Sequence, residues 1–309
     1  MRQRECCVCH CAVAEDAPTI GTRAYCDEHH RRVSADRKGL WRSTALAVVG
    51  LVLFVLAVDL VVGATGLTVG RAALLPLGIV LALVPAALWL VVFYAQDRLE
   101  PEPKGRVLGV FALAALLAQA IGIPVVRDLF QVQRWLGGAP VALQVLGSIL
   151  IVGMTQEYLK YAVVRYGVYR SAEFDERVDG IIYCAAAGLG YATVLNVHYI
   201  IGAGGAQLQV GVLRIVVTAL AQASFSGLMG YFLGRAKFED MGRLWLPGGL
   251  LLASALNGVV AHVLREVTIS GLTFTPMNGL ILAAAVAVAV FGAVFALMRR
   301  VNAASLAGA

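Results

Sequence analysis

Two groups of side chains in this sequence could do chemistry. The first interrupts otherwise unbroken apolar sequence. Gln156-Glu157-Tyr158-Leu159-Lys160 closes one apolar run, and Tyr191, Asn196, His198 and Tyr199 lie within the next. An ionisable side chain at bilayer depth is costly, so by default it marks a functional site. A carboxylate and an imidazole could exchange protons with water, as hydrolysis requires, and Glu157 with His198 is the pair that could do so. On a helix, Glu157 and Lys160 are i,i+3 neighbours able to pair, while Gln156 sits roughly 100° to the side. Later runs add Arg214, Gln222, Ser224 and Ser226, then Ser254, Asn257 and His262. Most of these are amides and hydroxyls, which hydrogen-bond but do not act as general bases.

The second group fills the first 36 residues, which hold five of the six cysteines. Cys6-x-x-Cys9, a sixteen-residue spacer and Cys26-x-x-His29 form two chelating pairs that can close one tetrahedral zinc site. Cys7, His10, Cys11 and His30 offer other registers for the same site. Pro18, Gly21 and Tyr25 suit a short hairpin leading into the second pair. Four protein ligands leave no position for water, so such a zinc is structural. A head this short also cannot build a core without a staple. Its expected work is docking a cytoplasmic partner, or regulation.

The elements that position these groups follow from composition. The chain has 309 residues, 60% hydrophobic and 14% charged, with mean hydropathy +0.79. Soluble domains carry roughly 25% charged residues, so the sequence predicts an all-α polytopic membrane protein. Eight apolar runs are long enough to cross a bilayer: 44–64, 73–95, 107–126, 142–166, 178–201, 210–233, 245–264 and 277–298. A zinc-ribbon-like head (1–36), a basic tether (37–43), a membrane domain (44–300) and a short tail (301–309) are the expected divisions. With the N-terminus inside, cytoplasmic segments hold sixteen Lys and Arg and outer loops hold four, which puts both termini in the cytoplasm of a plasma-membrane protein. The net charge of +6 then reflects anchoring at the inner leaflet and not nucleic-acid binding. Small residues crowd spans 5 to 7, which predicts a tight bundle of spans 4 to 7. Asp59, Gln119, His198 and His262 are expected as interhelical hydrogen-bonding residues, and 95–105 as a solvated loop.

In order and spacing, residues 90–265 resemble the PrsW family of intramembrane proteases, part of a superfamily with the CAAX-processing type. The resemblance rests on the turn Glu100-Pro101-Glu102-Pro103, the helix end Gln156 to Lys160, and the linker Phe174, Asp175, Asp179, Gly180. It continues through Gly188 to Tyr199 and the later Gly230-Tyr231-Phe232-Leu233-Gly234. The resemblance implies Glu at 156, Glu at 195 and His at 222 and 257, where this chain has Gln156, Leu195, Gln222 and Asn257. Glu157, Lys160 and Asn196 remain as a remnant site, with His198 as a stand-in.

The expected function is therefore that of a catalytically degenerate protease homologue, binding membrane proteins or transmembrane peptides. The alternative is an active endopeptidase relying on Glu157, acting for example on an anti-sigma factor. A transporter or channel is the third reading, and no inverted repeat of broken helices supports it.

Overall fold

The computed structural model describes residues 4–9, 11–20, 23–34, 38–65, 70–96, 101–204, 208–269 and 276–307. His10, Gly21, Glu100 and residue 37 of the basic segment lie outside these. The head is a knuckle, a hairpin and a helix. Glu5 bridges Ala12, β1 (Thr19–Ile20) pairs antiparallel with β2 (Arg23–Ala24), and α1 (Asp27–Ser34) follows. Tyr25 is the buried plug beneath them, and its N–H donates to the Pro18 carbonyl at 2.9 Å.

Among the described residues, eight helices are long and apolar enough to cross a membrane. They match the eight apolar runs in number and order. The first two are α2 (Lys38–Thr65) and α3 (Arg71–Tyr94). Since α2 begins at Lys38, most of the basic segment is already helical.

The third span, Lys104–Gly138, is far longer than the run that announced it. It comprises α4 (Lys104–Leu117), π-helical turns at Ala118–Gly122 and Val125–Leu129, and α5 (Val132–Trp135). The fourth joins α6 (Val141–Gly147), a π-helical turn at Ser148–Gly153 and α7 (Met154–Gly167). Such turns shift the facing of everything beyond them, and they concentrate at functional sites. The one at Ser148–Gly153 immediately precedes the polar end of α7. Then come α8 (Arg177–Gly202), α9 (Leu208–Phe238), α10 (Trp245–Ile269) and α11 (Pro276–Ala307). The expected tail is largely the continuation of α11.

Helix α8 is the centre of the bundle, almost wholly buried and packed on α9, α3, α4 and α7. Its start is fixed by a capping box, in which Glu176 and Asp179 satisfy each other's backbone N–H groups. Two contacts bring the helices that carry the polar side chains to backbone distance. A side chain at Gly188 would run into the Gln222 carbonyl of α9. One at Gly258 would meet the backbone of Ser148 and Ile149, drawing α10 onto the fourth span. Glycine at these positions is what lets the polar groups meet.

Two expectations are corrected here. The 95–105 segment is not simply solvated. Glu102 is buried, its carboxylate accepts a hydrogen bond from Tyr183, and its backbone carbonyl accepts one from Tyr94 at 2.7 Å. Prolines on either side fix the chain in an extended turn that tucks this acid inward. Asp59, expected to bond between helices, instead points outward from α2, because Phe54, Val55, Val58 and Val62 supply that helix's packed face.

Candidate functional site

Four helices converge on one closed polar network, and every member of it is buried. Helix α7 supplies Gln156, Glu157 and Lys160, α9 supplies Gln222 and Ser226, and α10 supplies Asn257. The Lys160 ammonium pairs with Glu157 and donates to Gln222 Oε1 at 2.6 Å. Asn257 Nδ2 donates to Glu157 Oε1 at 2.6 Å and to Gln156 Oε1 at 3.1 Å. Gln222 Nε2 donates to Gln156 Oε1 at 3.0 Å and to Asn257 Oδ1 at 3.1 Å. Ser226 approaches the second Glu157 oxygen at 3.3 Å. Tyr191 of α8 lays its ring 5.7 Å from the Lys160 ammonium. One negative and one positive charge cancel, and the amides satisfy one another. A buried network is stabilising only when completed in this way.

Beside the network lies a cavity of about 320 Å³. Gln156, Gln222 and Asn257 form its wall toward the network, and Leu195, Asn196, His198, Tyr199, Arg214 and Thr218 line the rest. Asn196 Nδ2 donates to the Ile215 carbonyl at 3.1 Å, tying α8 to α9. The Arg214 guanidinium stacks 4.1 Å over the Tyr199 ring. His198 shares a hydrogen bond of 2.7 Å with Gln119, on the first π-helical turn.

Residues scattered over a hundred positions are thus brought together. Gln156, Leu195, Gln222 and Asn257 all face the cavity, with Asn196 and His198 beside them. Glu157 and His198 share no hydrogen bond: Glu157 is held by Lys160, Asn257 and Ser226, whereas His198 is held by Gln119. His262 is half-buried on α10 and does not line the cavity. Glu102, Tyr183 and Lys237 escaped residue-by-residue reading. Lys237 donates to the carbonyls of Tyr169 (2.7 Å) and Phe174, closing the Phe174 linker over the end of α9.

A family model described as PrsW family intramembrane metalloprotease matches residues 102–298, almost two-thirds of the chain. The chain belongs to the PrsW family. Among curated relatives, Protease PrsW of Bacillus subtilis (strain 168) is 31% identical over 188 residues, covering 60% of this chain and 82% of that protein. Protease PrsW of Geobacillus kaustophilus (strain HTA426) is 33% identical over 177 residues, covering 57% and 74%. That of Clostridioides difficile (strain 630) is 28% identical over 188 residues, covering 60% and 77%. No solved structure matches the chain. The matched region of the PrsW family begins at Glu102, so the cysteine head and the first two spans lie outside it.

The family description implies a metal, and the donors in the bundle can be tested for it. They are one carboxylate, three amides and a hydroxyl, with the Lys160 ammonium already seated between Glu157 and Gln222. Zinc prefers imidazole, thiolate and carboxylate, and amide oxygens are poor ligands for it. A lysine cation stands where a metal would need its oxygens. The network does not fit a catalytic metal.

The head fits one well. The sulfurs of Cys6, Cys9, Cys11 and Cys26 all lie within 4.8 Å of one another. Tetrahedral zinc–thiolate geometry sets sulfurs about 3.8 Å apart. Three of the four ligands expected from spacing are in this set, and Cys11 joins them. The Glu5–Ala12 bridge folds the knuckle back, and the Cys6 N–H donates to the Cys11 carbonyl at 2.8 Å. His29 Nδ1 stands alongside, 3.1 Å from Cys26 Sγ and 3.8 Å from Cys6 Sγ. Burial acts to raise the Cys6 thiol, but backbone N–H groups of Cys26, Cys9 and Val8 bring it down to about 6. Donors of this kind hold thiolates ready for a cation.

Proposed function

We propose that this PrsW-family member grips membrane-spanning segments without cutting them. The observation that carries this reading is the closed network around Glu157. The carboxylate is neutralised by Lys160 and fenced by Asn257 and Ser226. Amides stand at 156, 222 and 257, where the family resemblance implies an acid and two imidazoles. Hydrolysis needs a base with access to water and stabilisation for an oxyanion, and amides do not accept that proton.

The same amides suit recognition. Gln156, Gln222, Asn257 and Asn196 offer donors and acceptors along a cavity wall. A locally unwound transmembrane segment has backbone N–H and C=O groups that must be satisfied inside the membrane. The Lys and Arg distribution supports cytoplasmic termini. In that arrangement the head carries a structural zinc and docks a cytoplasmic partner.

The test uses full-length protein in liposomes with a labelled single-span peptide whose centre carries Gly and Pro. Capture without fragments is expected, and so is loss of capture when Asn257→Leu narrows the cavity. Fragments that appear with the wild type and vanish with Glu157→Gln would overturn the reading and establish an active endopeptidase.

A further inference from the structure

The outward face of α2 carries a feature that neither the network nor the head uses. Leu46, Val49, Leu53, Leu56 and Leu60 are all more than half exposed. Their 3-4-3-4 spacing is that of the a and d positions of a helix-pairing seam. The opposite face of α2 is occupied, with Ala47 and Leu51 in the main core and Phe54, Val55, Val58 and Val62 packed on Ile200, Val212 and Ile215. Beside the seam, one position before Leu60, the exposed Asp59 has no hydrogen-bond or ion-pair partner among the described residues. It lies about 9 Å of helix rise before Thr65, inside the stretch that is long and apolar enough to cross a membrane. Ionised carboxylates at such depth are rare and pair with a partner.

We propose that this face docks a membrane-spanning helix of another protein that carries a Lys or Arg at the depth of Asp59. A second copy of this chain does not answer the charge. In a parallel pair along this seam, Asp59 holds a g position and meets the e position five residues on, which is Ala64. Both seams would pack while both carboxylates stayed unpaired. A foreign helix with a base at that position completes the pair. This proposal does not depend on the one made for the cavity, which lies on other helices.

The probe is a Leu/Ala helix of roughly 20 residues with one Lys about a third of the way from one end. Energy transfer is measured between donor-labelled probe and acceptor-labelled full-length protein in liposomes. The Lys probe should associate with the wild type and lose roughly tenfold or more in affinity on Asp59→Leu, with Asp59→Glu retaining it. An all-Leu/Ala probe should bind wild type and Asp59→Leu equally weakly. Because Asp59 is exposed and has no hydrogen-bond or ion-pair partner among the described residues, Asp59→Leu should keep the wild-type melting temperature, which is checked alongside. Equal binding of the Lys probe to both proteins would overturn the proposal. So would Asp59-dependent transfer between two labelled copies of the chain, which would make the face a self-association surface.

Discussion

The chain gathers ligand-type side chains in two places, and the two have been treated in opposite ways. In the head, four thiols stand within one coordination sphere, a fifth donor waits beside them, and backbone N–H groups already favour the thiolate form of Cys6. In the bundle, the positions that the family resemblance assigns to acids and imidazoles carry Gln156, Leu195, Gln222 and Asn257, and a lysine fills the centre. The head has little core, and a metal held by these thiols would staple it. The bundle has a full core, so its architecture does not rest on which polar groups stand at these positions. Donors suited to zinc are gathered in the head, whereas the network in the bundle offers mainly amides.

Substitutions sharpen that contrast in order of size. Lys160→Met should be the most damaging, because it leaves the Glu157 charge buried without its partner. The cost is about 3–5 kcal/mol, read as a large drop in thermal stability in mild detergent. Lys160→Met combined with Glu157→Leu should recover most of that loss, since the pair is then removed together. Gly188→Ala comes next. Its methyl group would meet the Gln222 carbonyl, force α8 from α9 and cost about 1–3 kcal/mol, with loss of peptide capture.

The smallest effect belongs to Glu239, which accepts hydrogen bonds from Arg235 and, at 2.9 Å, from Arg177. The Arg235 hydrogen bond, with Arg177 adding to it, holds this carboxyl below its usual value of 4.5. A depressed carboxyl contributes stability that is complete above about pH 4.5 and fades as pH falls through the lower folded value. Partial exposure limits the contribution to about 0.5 kcal/mol, so Glu239→Gln should lower the melting temperature slightly at pH 7 and hardly at pH 3.

Much of this architecture was legible in the sequence, for identifiable reasons. Eight spans follow from run length and hydropathy, since a single apolar segment satisfies its own backbone in lipid only as a helix. The Glu157–Lys160 pair follows from helical spacing. The meeting of Gln156 with Gln222 and Asn257 does not, because no periodicity links positions so far apart. Only the family resemblance pointed there. The role of Cys11 depends on how the knuckle folds back, which the pairs Cys6-x-x-Cys9 and Cys26-x-x-His29 do not encode. The outward facing of Asp59 was hidden because α2 is apolar all round, so no stripe declares which side is packed. Glu102 reads as a solvated acid until Tyr183, 81 positions away, is seen to reach it.

The contrast between head and bundle is tested most directly by counting metal in the purified full-length protein. Wild type should hold one zinc per chain, and a Cys6→Ser, Cys9→Ser, Cys26→Ser variant should hold none. A metal retained by that triple variant, and released when Glu157 is replaced, would contradict the account and return the bundle to the metalloproteases.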